Sequence, residues 1–156
     1  MDFLKAIRDF SYHVSPPVVG VILGGMIVQR YWVRKANEGA MIEYLSDELS
    51  DLVDETLEYW SLDCSGTGAR TDKFRQEARK LEPKIKGAIK NLSSVLMQYS
   101  KRYCKKNDFT ILMVEVTDAC TGGQFEVAKR PADPHRFLSV VNTTHRVRSQ
   151  LFERRI

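Results

Sequence analysis

The residues from Pro16 to Val33 read Pro-Pro-Val-Val-Gly-Val-Ile-Leu-Gly-Gly-Met-Ile-Val-Gln-Arg-Tyr-Trp-Val, and no polar side chain interrupts Val18 to Val28. A run this apolar has two destinations, a protein core or a lipid bilayer. Alone it is short for a bilayer, whose hydrocarbon takes about 20 helical residues and no fewer than about 17. The flanks lengthen it. Tyr12 precedes the run and Tyr31 and Trp32 follow it, where aromatic rings would lie at two headgroup layers. A helix from Tyr12 to Trp32 would rise roughly 30 Å, one hydrocarbon thickness. Arg30 has a stem long enough to carry its charge to the interface. Pro16 and Pro17 suit a first helical turn, where a missing N–H costs nothing. The expectation is a single transmembrane anchor over residues 15–35. The alternative is a helix buried in a soluble domain.

The charges beside the run set an orientation. Arg30, Arg34 and Lys35 lie at its C-terminal end, which by the positive-inside rule leaves the downstream chain in the cytoplasm and the N-terminus outside. In residues 1–14, Phe3, Ile7, Phe10 and Val14 recur at helical steps, as in a short amphipathic segment lying at the interface. Its charges cancel, and no small-residue cleavage site follows, so it does not read as a secretory signal. Cys64, Cys104 and Cys120 are an odd number at wide spacings with no Cys-x-x-Cys. Free thiols suit a reducing compartment and agree with that orientation. Gly20 and Gly24 form Gly-x-x-x-Gly, a face along which two anchors can approach closely.

Downstream of the anchor, residues 36–156 are enough for one core. Charge is segregated along them. No lysine or arginine occurs between Lys35 and Arg70, a stretch holding nine acids; residues 70–106 hold twelve cations against three acids. An acidic helix is expected over 36–62, with Met41, Leu45, Leu49, Leu52, Val53, Leu57 and Trp60 inward. Asp63 to Arg70 has the composition of a turn. A basic helix over 72–106, capped by Thr71 or Asp72, carries Ala78, Leu81, Ile85, Ile89, Leu92, Leu96, Tyr99 and Tyr103 at steps of three and four. Its apolar phase survives Pro83, so one kinked helix is expected rather than two. Its outer face would present Lys73, Arg75, Arg79, Lys80, Lys84, Lys86 and Lys90 among others. Opposite charge and a short connection predict an antiparallel hairpin in which these cations face the acidic helix.

Residues 108–121 fit either a strand or a buried helix. Phe109, Leu112, Val116 and Cys120 share a helical face, and Gly122-Gly123 can end a helix, so a helix is expected. Asp133-Pro134 gives a cap and a first-turn proline for a final amphipathic helix over 133–155, with Phe137, Val140, Val141, Thr144, Val147, Leu151 and Phe152 inward.

The fold class is therefore all-α: one membrane span followed by a cytosolic antiparallel helical hairpin and bundle of about four helices. No catalytic constellation emerges. His135 and His145 stand ten residues apart with no carboxylate at metal spacing, and Cys120 with either histidine has only residue type in its favour as a thiol–imidazole pair. The acidic helix lacks the ligand spacing of a calcium loop. The expectation is neither an enzyme nor a cofactor, metal or small-molecule site. It is a single-pass scaffold at the cytoplasmic face, with membrane lipid and a protein partner, or a second copy of itself, as its contacts. A membrane-perturbing effector assembling through the anchor is the alternative. Binding of nucleic acid or anionic lipid by the basic helices is the weaker one.

Overall fold

The computed structural model describes residues 16–104 and 109–153. Among them lie four helices, α1 (Pro16–Ser61), α2 (Ala69–Tyr103), α3 (Phe109–Thr121) and α4 (Pro134–Glu153), and no strand. The fold is all-α, as the periodicity requires. The chain divides between Gly39 and Ala40 into two compact units, and α1 contributes to both. The interfacial segment expected over 1–14, and with it Tyr12, lies outside the described residues.

In the first unit α1 carries the apolar run. The span expected over 15–35 is not found: among the described residues no helix is long and apolar enough to cross a membrane. The run covers eleven residues, Val18 to Val28, before Gln29 and Arg30 close it, against the roughly 20 that a span takes. The helix then continues without a break into the acidic stretch, as a connection free of proline allows.

The second unit is a helical bundle, and the periodic positions explain why. On α2, Ala78, Leu81, Ile85, Ile89, Leu92, Leu96 and Tyr99 are buried, as the three-and-four spacing demands. Pro83 sits exposed within this single helix; lacking an N–H, it cannot donate to the carbonyl one turn back. Thr71 and Asp72 do not cap α2. The helix begins earlier, at Ala69, with Gly68 at the cap position (φ 116°), and Asp72 lies in the first turn, where its charge favours the helix dipole. On α1 the buried stripe is Ile42, Leu45, Leu49, Leu52, Thr56, Tyr59 and Trp60. Met41, Val53 and Leu57 flank it, half-buried.

The α2 amide of Asn91 donates to Tyr44 Oη (3.2 Å) and Glu48 Oε2 (2.8 Å), while at the other end Tyr59 Oη donates to Glu82 (3.4 Å). α1 and α2 thus run antiparallel. The expected charge pairing between them is absent. None of Glu43, Asp47, Glu48, Asp51, Asp54, Glu55 or Glu58 forms an ion pair within 4.0 Å with a described residue. Apolar burial is the physical reason the hairpin still forms, since exposed pairs contribute only about 0.2–1 kcal/mol each.

The helical reading of 108–121 holds. Phe109, Leu112, Met113, Val116, Ala119 and Cys120 are buried, and the hydroxyls of Thr117 and Thr121 donate to carbonyls one turn back (2.7 Å each). The helix stops where expected. Gly122 N–H bonds to Asp118 O (2.8 Å), and a Cβ on Gly122 would fall 2.5 Å from that oxygen. Gly123 follows in the left-handed region (φ 65°). Asp133 caps α4: its Oδ1 accepts from the N–H groups of His135 (3.0 Å) and Arg136 (3.2 Å), with Pro134 in the first turn. Val140, Thr144, Val147 and Leu151 are buried on α4; Val141 and Phe152 lie outside the core, at 43% and 40% exposure. α3 packs against α2 and α4. Arg148 reaches from α4 to Ser46 O (3.0 Å) and Ser50 Oγ (2.6 Å) on α1.

Candidate functional site

The most elaborate polar arrangement stands where α1 ends. A helix C-terminus leaves four carbonyls without internal partners. Here the connection between α3 and α4 supplies them. Arg130, 1% exposed, donates from Nη1 to Leu62 O (3.0 Å) and from Nη2 to Tyr59 O. Asp133 N–H bonds to Trp60 O (3.0 Å), and Cys64 N–H to Arg130 O (2.9 Å). The guanidinium lies 3.8 Å from the Tyr59 ring centre and 5.1 Å from that of Trp60. No carboxylate lies within 4.0 Å of it among the described residues. Burying a lone cation costs several kcal/mol. Charge-assisted bonds of about 1.5–3 kcal/mol each, the negative end of the α1 dipole and two aromatic faces offset that cost. The arrangement is a C-cap in structure and chemistry.

Arg75 does the same for the next loop. It donates to Cys64 O (3.2 and 3.0 Å), Gly66 O (2.7 Å) and Ala128 O (3.2 Å), and pairs with Asp72 (2.9 Å). It does not belong to an open basic face, as its position on the helical wheel had suggested. Nothing local in the sequence marks Arg75 or Arg130 as a clamp, because their partners lie up to 71 residues away. Trp60 adds a further tie, its indole Nε1 donating to Cys120 O (3.1 Å).

Around this junction the titratable groups are set by burial. Desolvation raises Tyr59 above its ordinary 10.0, although the Glu126 N–H and Arg130 oppose it. The Ser65 hydroxyl and then the Ser65 N–H hold the Asp63 carboxyl below its usual value. Burial raises the Cys64 thiol and pushes Cys120 up to about 11, with the neighbouring Thr56 hydroxyl opposing weakly. A thiol that protonated is no nucleophile at neutral pH. His135 and His145 are exposed on α4 while Cys120 is buried, so the structure brings neither thiol–imidazole pair together. Among the described residues no group of three or more His, Cys, Asp or Glu is placed to hold a metal ion.

Two surface features remain. Between α2 and α3 a groove of about 560 Å³ is lined by Leu96, Met97, Phe109, Met113 and Val114, with hydroxyls from Ser93, Ser100, Thr110, Thr117 and Thr121. The second is the outer side of α2. Arg79, Lys80, Lys84 and Lys90 are exposed there without an ion pair among the described residues; Lys73 reaches Glu77 at 3.9 Å, and Lys86 pairs with Glu126. The expected pairing with the acids of α1 does not form: among the described residues none of these cations lies within 4.0 Å of an α1 carboxylate.

In the first unit the expected interface residues Tyr31 and Trp32 are exposed (56% and 65%), their rings edge to face at 6.1 Å. Arg30 and Arg34 are exposed beside them and Lys35 is half-buried. Met26, Ile27, Val28 and Val33 are exposed as well. Gly20 lies within α1, and a Cβ at Gly24 would meet no described atom within 4 Å. No protein-family model, no curated protein and no solved structure matches this chain.

Proposed function

We propose that this chain is a membrane-anchored helical interaction protein, with residues 15–35 held in lipid and the bundle acting as the interaction domain on the cytoplasmic side. One observation carries the reading. Met26, Ile27, Val28, Tyr31, Trp32 and Val33 form a run of large apolar side chains exposed along one helix. An exposed apolar surface of this kind marks a lipid or protein contact. The sequence supplies the rest: aromatic residues at both ends of a stretch from Tyr12 to Trp32, and the cations Arg30, Arg34 and Lys35 on the side that becomes cytoplasmic. The free cysteines fit a reducing compartment. The buried thiols and dispersed histidines favour an interaction role over catalysis.

Extraction at alkaline pH tests it. Membranes from cells producing the full chain should keep it in the pellet after a carbonate wash, and protease added outside should spare the bundle. Release into the wash overturns the proposal.

A further inference from the structure

The outer side of α2 has a shape as well as a charge. Lys73, Lys80 and Lys84 fall on one row of the helix, and Arg79, Lys86 and Lys90 on another, spread over roughly 26 Å of axis. Between the rows the exposed positions include Gln76, Pro83 and Gly87. A Cβ at Gly87 would meet nothing within 4 Å. The floor there is low and the two walls are cationic. On α1 the exposed acids Glu43, Asp47, Asp51, Asp54 and Glu58 follow at steps of four, four, three and four. They make a single ridge of roughly 22 Å, opposite the buried stripe of Leu45, Leu49 and Leu52. Neither the ridge nor Arg79, Lys80, Lys84 and Lys90 finds an ion pair within 4.0 Å among the described residues.

We propose that the outer face of α2 is a docking site for a second copy of this chain, whose α1 ridge lies between the two rows of cations. Charge complementarity and matching length select the occupant: the chain carries an unpaired acidic ridge and, in Arg79, Lys80, Lys84 and Lys90, four cations without an ion pair among the described residues to receive it. If each copy gives its ridge to the other, the contact closes into a pair; if not, it propagates into a row. Exposed ion pairs are individually weak and fall off with salt. Free copies therefore associate weakly, and the contact persists where copies are concentrated in one plane. For that concentration it rests on the anchoring reading, while the contact itself does not.

The test uses full-length protein, an equal mixture of ¹⁴N- and ¹⁵N-labelled chains, reconstituted into phosphatidylcholine vesicles. A carbodiimide joins a carboxylate to an amine only where the two touch, so mass spectrometry of isotopically mixed peptides reads contact between copies. The expected result is mixed-isotope linkage of Asp47, Asp51 or Asp54 to Lys80, Lys84 or Lys90, falling at least tenfold in 0.5 M salt. The triple variants Asp47→Lys/Asp51→Lys/Asp54→Lys and Lys80→Glu/Lys84→Glu/Lys90→Glu should each lose the linkage at least tenfold, and an equal mixture of the two should regain it. Regain in the mixture also shows that both variants fold. Same-isotope linkages alone, or no recovery in the mixture, overturn the proposal. So does cosedimentation with phosphatidylserine vesicles or a nucleic-acid mobility shift that depends on Lys80, Lys84 and Lys90 while mixed-isotope linkage is absent. Flotation reads the anchor separately: chains that stay out of the vesicle fraction yet give mixed-isotope linkage in solution sustain this contact and overturn only the anchor.

Discussion

Arg130 is a charged side chain placed in a core, with carbonyl oxygens and aromatic rings as its counter-charge. That makes it unforgiving. Replacing it with methionine keeps much of the volume but leaves Tyr59 O and Leu62 O without their donor. The expected loss is about 2–4 kcal/mol, because a buried acceptor left unpaired costs about 1–3 kcal/mol; the shift in urea midpoint measures it. Arg130→Lys should recover less than half of it, since an ammonium cannot reach both oxygens in the guanidinium's plane or stack on Tyr59. Cys120 gives a second prediction. Its thiol holds its proton to about 11, against an ordinary 9.0. Between those values the folded chain binds more protons than the unfolded one, so stability falls as pH rises through this window and is fully retained below 9. Two units correspond to about 2–3 kcal/mol. Tyr59, also raised, adds a loss in the same direction above pH 10. Urea unfolding from pH 8 to 11 should show the decline, and Cys120→Ser should flatten the part that the thiol causes.

At the scale of the helices, the periodic positions were legible before any coordinate. Ala78 to Tyr99 on α2 and Phe109, Leu112, Val116 and Cys120 on α3 follow from spacing, because a helix in a bundle must bury one stripe, and the Asp133 cap of α4 follows from the Asp-Pro pair. What spacing could not reveal was which cations are clamps. Arg75 and Arg79 are one turn apart and look equivalent on a wheel. Arg75 is drawn into the 62–68 loop by carbonyls that only the tertiary fold brings to it. The acid–base hairpin misled for a related reason. Two helices can pack by their apolar stripes with no ion pair between their charged sides, and charge balance in sequence does not say whether such pairs form. α2 also holds a removable weakness. Gly87 is helical, exposed and free of neighbours, so Gly87→Ala should stabilise the fold by about 0.5–1 kcal/mol, read as a higher melting temperature.

For the whole molecule the decisive question is what covers the apolar residues of the first unit. Ile27 at 68% and Trp32 at 65% exposure are contacts waiting for a nonaqueous neighbour. In membranes, Ile27→Glu with Val28→Glu should move the chain from the carbonate pellet to the wash, because each carboxylate at that depth costs several kcal/mol of transfer. The bundle should keep its helicity by circular dichroism, since these positions lie in the other unit. The same variants remaining in the pellet would place the attachment elsewhere. The sequence made this stretch conspicuous by its lack of polar side chains, and the flanking Tyr12, Tyr31 and Trp32 extended it to the length of a span, although its eleven uninterrupted apolar residues fall short of one.

The clamp at the end of α1 has a consequence for how the chain emerges from a ribosome. Tyr59 O and Leu62 O wait for a donor 71 and 68 residues later in synthesis. Until Arg130 arrives, the first hairpin can collapse on its leucines and Arg75 can hold Cys64 O and Gly66 O, but Leu62 O lacks its guanidinium donor. Closure of the fold thus waits for the α3–α4 connection, and a chain truncated before Arg130 would present its first two helices without their latch.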